Sequence, residues 1–98
     1  MKTSILGTQY EIIETNERAE SKLENCYGYH DGFEKVICLD TDKLHKAEMR
    51  AQTLRHEIIH AYLYECGLAQ NCDWHCEEMV DWLAFQIEKI TRTIKELE

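Results

Sequence analysis

The run Ala47–Cys66, AEMRAQTLRHEIIHAYLYEC, contains neither Gly nor Pro and reads as one helix. Inside it, His56-Glu57-Ile58-Ile59-His60 is an H-E-x-x-H motif. Residues four apart on a helix stand one above the other on the same face. The two imidazoles can therefore meet one metal ion, and Glu57 between them is placed to take a proton from a coordinated water. The helix also has a plainer explanation. Leu54, Ile58, Ala61 and Cys66 would line a buried face without any metal, and the histidines would then be hydrogen-bonded core residues.

A catalytic zinc takes three protein ligands and keeps a fourth position for water, so a third ligand is needed downstream. Asp73-Trp74-His75-Cys76-Glu77-Glu78-Met79-Val80-Asp81 opens a second helix, and Glu77 and Asp81, four apart, share a face. Glu77 is assigned to the metal. Asp81 is assigned to the spare N–H of a ligating histidine, whose tautomer it would fix. Glu78 competes with Glu77, and helix phase separates them. The apolar stripe Val80, Leu83, Ala84, Ile87, Ile90, Ile94, Leu97 defines the face to be buried. Glu77 extends that stripe towards the N-terminus, whereas Glu78 lies about 100° further round.

On these residues the chain resembles the gluzincins, zinc metallopeptidases whose pattern is H-E-x-x-H followed on a later helix by E-x-x-x-D. The likeness includes Ala61 directly after the motif and Gly67-Leu68 closing the helix. Within that clan, the short span and the hairpin-then-helix order look most like small phage and mobile-element metallopeptidases related to the ImmA/IrrE family. The resemblance is close from about Thr53 to Ala84 and loose from Ile5 to Leu39. That family often has Asn where Asp81 stands, which suits the same hydrogen bond, and nothing here marks the extra domain such proteins often carry. The resemblance implies a zincin-like minimal core that hydrolyses peptide bonds of an intracellular polypeptide, a repressor or another regulator. It also implies a sheet edge that pairs with the substrate backbone, for which the strand Phe33 to Leu39 is the candidate.

Composition bounds the remaining possibilities. Ninety-eight residues make one domain, small enough to gain from a zinc staple. A net charge of −8, with no Lys/Arg cluster, repels a phosphate backbone and argues against nucleic acid as a partner. No stretch has the length to span a membrane, and the N-terminus lacks the apolar core of a signal peptide, so the expected location is the cytoplasm. There, the five cysteines Cys26, Cys38, Cys66, Cys72 and Cys76 are expected as thiols, Cys66 as a small apolar core residue.

Two rival readings keep the metal and change the function. In the first, a zinc-stabilised binding module has its fourth position closed by Cys72, His75 or Cys76 and cleaves nothing. In the second, a hydrolase of the peptide-deformylase type takes an upstream cysteine as third ligand, and Cys38 is upstream, but without that family's glycine and leucine context. For the donor that would face a substrate oxyanion, Tyr27, Tyr29, His30 and His75 are candidates that the sequence does not rank. His75 otherwise reads as a solvent-exposed residue at a helix start.

Around the motif the chain is simply organised. Ser4 to Thr15 alternates about Gly7 as a strand or short hairpin, and Asn16 to Glu24 reads as a solvated turn of helix. Cys26–His30 and Phe33–Leu39 flank the turn dipeptide Asp31-Gly32 as two antiparallel strands. Asp40-Thr41-Asp42 supplies caps for the helical region, Gly67 stops it, and Trp74 to about Leu97 forms the last helix. Trp74 and Trp82 are read as packing residues. The expected fold class is α+β, with a small antiparallel sheet packed on two main helices.

Overall fold

The computed structural model describes residues 1–70 and 75–98. Its architecture is α+β, a four-stranded sheet with two long helices. Strands β1 (Lys2–Ile5) and β2 (Thr8–Thr15) form the first hairpin. Leu6 and Gly7, at φ 49° and 86°, make the two-residue left-handed turn that such hairpins favour.

Strands β3 (Gly28–Asp31) and β4 (Val36–Asp40) form the second hairpin. Its turn is longer than the Asp31-Gly32 dipeptide suggested. Asp31 Oδ1 accepts from the N–H groups of Phe33 and Glu34 at 2.9 and 3.0 Å, and Lys35 takes φ 58° to re-enter the sheet. Phe33 is consequently an exposed turn residue and not part of a strand.

The sheet is mixed, with order β1-β2-β4-β3, because β4 runs parallel to β2 with Ile12 opposite Ile37 and Thr15 opposite Asp40. Val36-Ile37-Cys38-Leu39 is a continuous apolar run, which suits a strand covered on both faces, and Ile37, Cys38 and Leu39 are fully buried. The apolar strand therefore takes the interior, and the more polar β3 takes the edge. The expected edge strand Phe33 to Leu39 is corrected accordingly: that strand, β4, is interior, and the edge beside it belongs to β3.

Asp40 ends β4 and caps its own turn, accepting from the N–H groups of Asp42 and Lys43 at 2.9 and 3.0 Å. It does not cap helix α1 (Ala47–Glu65), which starts later with Lys46 in the capping position and no side-chain bond there. At the other end Gly67, at φ 85°, stops α1 as expected. The core joins Ile5, Tyr10, Ile12, Ile37, Leu39 and Leu44 to Ala61, with Met49, Leu54 and Ile58 of α1 packed against it. The region before β3 is tied down by a short 3-10 turn at Ser21–Leu23, whose Leu23 is fully buried where a solvated turn was expected.

Helix α2 (Glu77–Leu97) packs against α1 through Val80 and Ala84. Its apolar stripe is only partly covered: Leu83 and Ile87 are half-buried, while Ile94 and Leu97 are 52% and 84% exposed. Twenty-one residues of helix reach about 31 Å, and the exposed apolar residues Ile94 and Leu97 lie at its far end. Cys66 and Trp82, expected in the interior, are exposed. Trp74 and Cys72 lie outside the described residues. No described helix is long and apolar enough to cross a membrane.

Candidate metal centre

His56 and His60 lie on the face of α1 turned towards the start of α2, and Glu77 is the first residue of that second helix. Their ligand atoms converge. The two Nε2 atoms are 3.2 Å apart, Glu77 Oε2 lies 2.9 Å from His56 Nε2, and Glu77 Oε1 lies 3.0 Å from His60 Nε2. Four ligands about 2.05 Å from a tetrahedral zinc stand about 3.3 Å from one another, so these separations suit one shared ion. His56, His60 and Glu77 are the group of metal-binding type found among the described residues; the group could hold a metal ion. Glu78, Cys38, His75 and Cys76 are not part of it.

Each histidine has its other nitrogen engaged. His56 Nδ1 lies 3.2 Å from Asp81 Oδ1, as the E-x-x-x-D spacing predicted. A carboxylate can only accept, so with a metal held at Nε2 the proton of His56 would sit on Nδ1 and be donated to Asp81. His60 Nδ1 lies 2.8 Å from Nε2 of His75, whose Nδ1 lies 3.2 Å from the carbonyl of Ala69. His75 is therefore half-buried and bonded on both sides, not the solvent-exposed residue the sequence suggested. No local pattern announces this contact, because it depends on how the chain returns between the helices. Burial holds His60 well below the usual imidazole range, so its ring is neutral and available as a ligand near neutral pH.

Glu57 is the buried acid of the site, 7% exposed, and it makes no hydrogen bond among the described residues. Burial raises its carboxyl to about 7, with Glu77 adding to the rise and His56 opposing it. It lines two adjoining cavities together with His56 and Glu77. One, of about 420 Å³, extends past Tyr27, Met49 and Phe85. The other, of about 370 Å³, runs along Gly28, Tyr29 and His30 of β3.

The edge strand β3 thus borders the site directly. Asp40 N–H donates to the Tyr27 carbonyl at 2.9 Å. By antiparallel alternation, Tyr29 and Asp31 face β4, and the N–H and C=O groups of Gly28 and His30 point outward along the free edge. Gly28 permits this proximity to α1: a Cβ there would stand 2.7 Å from the Cys38 carbonyl oxygen and 3.1 Å from Thr53 Cγ2.

The four candidate oxyanion donors separate by their partners. Tyr29 donates to Glu20 at 3.2 Å. His30 Nε2 lies 3.0 Å from the Tyr10 hydroxyl, which itself donates to Glu65 at 2.7 Å, so His30 is the donor in that pair. His75 is held by His60 and Ala69. Tyr27, 54% exposed, lines the larger cavity, and its hydroxyl has no bond among the described residues.

Compared with known proteins, the chain matches no protein family, no curated protein and no solved structure.

Proposed function

We propose that this chain is a zinc-dependent metallopeptidase that hydrolyses peptide bonds of an intracellular polypeptide, in the manner of a minimal gluzincin related to the ImmA/IrrE peptidases. One observation carries the reading: a buried carboxyl, Glu57, with no hydrogen-bond partner among the described residues, stands beside three ligand atoms that converge from two helices. A purely structural metal site has no use for such a group. His56, His60 and Glu77 would hold the zinc, which when bound polarises a carbonyl and lowers the pKa of a coordinated water towards about 7.

The chain's own residues do the rest. Glu57, whose carboxyl sits near 7, accepts a proton from the attacking water and hands it to the leaving amine as the peptide C–N bond breaks. Asp81 and His75 hold the two ligating rings in the tautomer that leaves Nε2 free. An extended substrate pairs with the outward N–H and C=O groups of Gly28 and His30 on β3, a mode that grips main chain with little demand on sequence. Of the four tyrosine and histidine candidates, Tyr27 is the donor suited to a developing oxyanion.

The test is cleavage of an unfolded polypeptide such as casein by the zinc-loaded protein, followed by mass spectrometry, with Glu57→Gln as control. Cleavage by the wild type, lost in Glu57→Gln and blocked by a small hydroxamate, is the expected result. Tight zinc binding with neither cleavage nor hydroxamate affinity would establish the alternative, a zinc-stabilised binding module.

A further inference from the structure

The two ligating histidines are supported in different ways. His56 leans on a carboxylate, Asp81, at 3.2 Å, while His60 leans on a second imidazole, His75, at 2.8 Å. Behind His75 stands the Ala69 carbonyl, 3.2 Å from its Nδ1. A backbone carbonyl can only accept, so His75 Nδ1 carries the proton of that bond. A neutral His75 then has a bare Nε2, which can only accept from His60 Nδ1–H. That in turn leaves the lone pair of His60 Nε2 facing His56 and Glu77.

We propose that His75 is the positioning residue of the metal site: it locks the ring plane and Nδ1–H tautomer of His60 and refers both to the backbone at Ala69. This rests on the reading of His60 as a metal ligand. His75 itself is not a ligand, because its Nε2 sits behind His60, against the ring nitrogen opposite the one that meets the other two ligands.

Charge explains why an imidazole serves here. Glu57, Glu77 and Asp81 already place three acids around the site, and Glu57 is buried. A fourth carboxylate behind His60 would add repulsion where water screens least, whereas a neutral acceptor fixes the tautomer without it. The chain Ala69–His75–His60 also ties the residue just before α2 to α1 and to the backbone just after it.

The experiment uses the full chain, Zn²⁺ as the probe, and the variants His75→Leu and His75→Gln. Long-range ¹H–¹⁵N correlation spectra of the metal-free wild type report each imidazole tautomer, and His60 is expected as Nδ1–H. Competition against a chelator is expected to show His75→Leu binding Zn²⁺ about 10–100-fold more weakly, the range for losing such a partner. His75→Gln, whose side-chain carbonyl can accept from His60 Nδ1–H, should recover most of that loss.

An Nε2–H tautomer at His60, unchanged affinity in His75→Leu, or a Gln variant as weak as Leu would each overturn the proposal. So would a coordination shift at a His75 nitrogen on adding Zn²⁺. The tautomer measurement needs only the wild type, so it decides even where His75→Leu fails to fold. His60→Ala separates the two readings: retained Zn²⁺ affinity there would remove His60 from the metal site itself.

Discussion

The Tyr10 hydroxyl donates to Glu65 at 2.7 Å, joining the middle of β2 to the last turn of α1 across 55 residues of sequence. Tyr10 is fully buried, and its hydroxyl is pushed well above the usual tyrosine range, first by burial and then by the bond to Glu65. Glu65 also pairs with Lys35 at 2.8 Å, and His30 donates back to Tyr10 at 3.0 Å. This network clamps α1 over the same edge strand that borders the metal centre.

Tyr10→Phe should therefore cost about 1–3 kcal/mol of unfolding free energy in urea, because it leaves His30 and Glu65 each short of a partner in a partly buried place. Zinc stoichiometry should not change, since no ligand touches Tyr10. An unaltered urea midpoint would mean that the network does not hold the helix.

The ligand set predicts one zinc per chain by elemental analysis. His56→Ala, His60→Ala and Glu77→Ala should each weaken Zn²⁺ binding by more than about 100-fold, beyond the loss typical for an outer partner. Glu78→Ala should be neutral, since Glu77 is the acid that reaches both imidazoles. The rise in melting temperature on adding Zn²⁺ should vanish in His60→Ala. If Glu78→Ala and Glu77→Ala exchanged these roles, the helix phase assumed for the start of α2 would be wrong.

Glu57→Gln should keep zinc and abolish hydrolysis. It also carries a pH signature in the metal-free protein. Burial raises the folded carboxyl to about 7 from an ordinary 4.5, so between those values the folded state holds a proton that the unfolded chain releases. Stability must then fall as pH rises through that window, by at most about 3 kcal/mol from this group. Metal-free Glu57→Gln should match the wild type near pH 4.5 and exceed it at pH 8. Parallel stability curves for the two proteins would contradict the buried setting of Glu57.

Gly28→Ala tests the seating of the edge strand. The new methyl would stand 2.7 Å from the Cys38 carbonyl oxygen, a backbone atom that must shift, and 3.1 and 3.2 Å from the side chains of Thr53 and Leu39. A loss of about 1–3 kcal/mol in thermal or urea unfolding is expected, the usual cost of overpacking. Any peptidase activity should fall too, because the strand proposed to receive the substrate would be displaced from α1. Wild-type stability in this variant would show that β3 and α1 are less closely apposed.

What the sequence determined by itself is local. The i, i+4 geometry of one helix turn places His56 over His60 and Glu77 over Asp81, so the ligand candidates and the partner of His56 were readable as spacing alone. Gly7 between alternating segments and Gly67 after the motif helix marked the first hairpin and the end of α1 for the same reason, since backbone conformation at a turn depends on the residue standing there. Periodicity says which side chains share a face. It does not say what covers the face, and so Ile94, Leu97 and Trp82 belong to an apolar pattern yet stand exposed.

Only the tertiary structure decided the remainder. Strand order depends on pairings such as Ile12 with Ile37, between residues far apart in sequence, and these put β4 inside and β3 at the edge. The bond from His60 to His75 arises the same way, between residues in different parts of the fold, and Asp40 gives its carboxylate to its own turn and not to a helix. Spacing encodes contacts within an element because the backbone repeat is fixed. Contacts between elements depend on which packing buries the most apolar surface while pairing its polar groups, and that is a property of the whole chain.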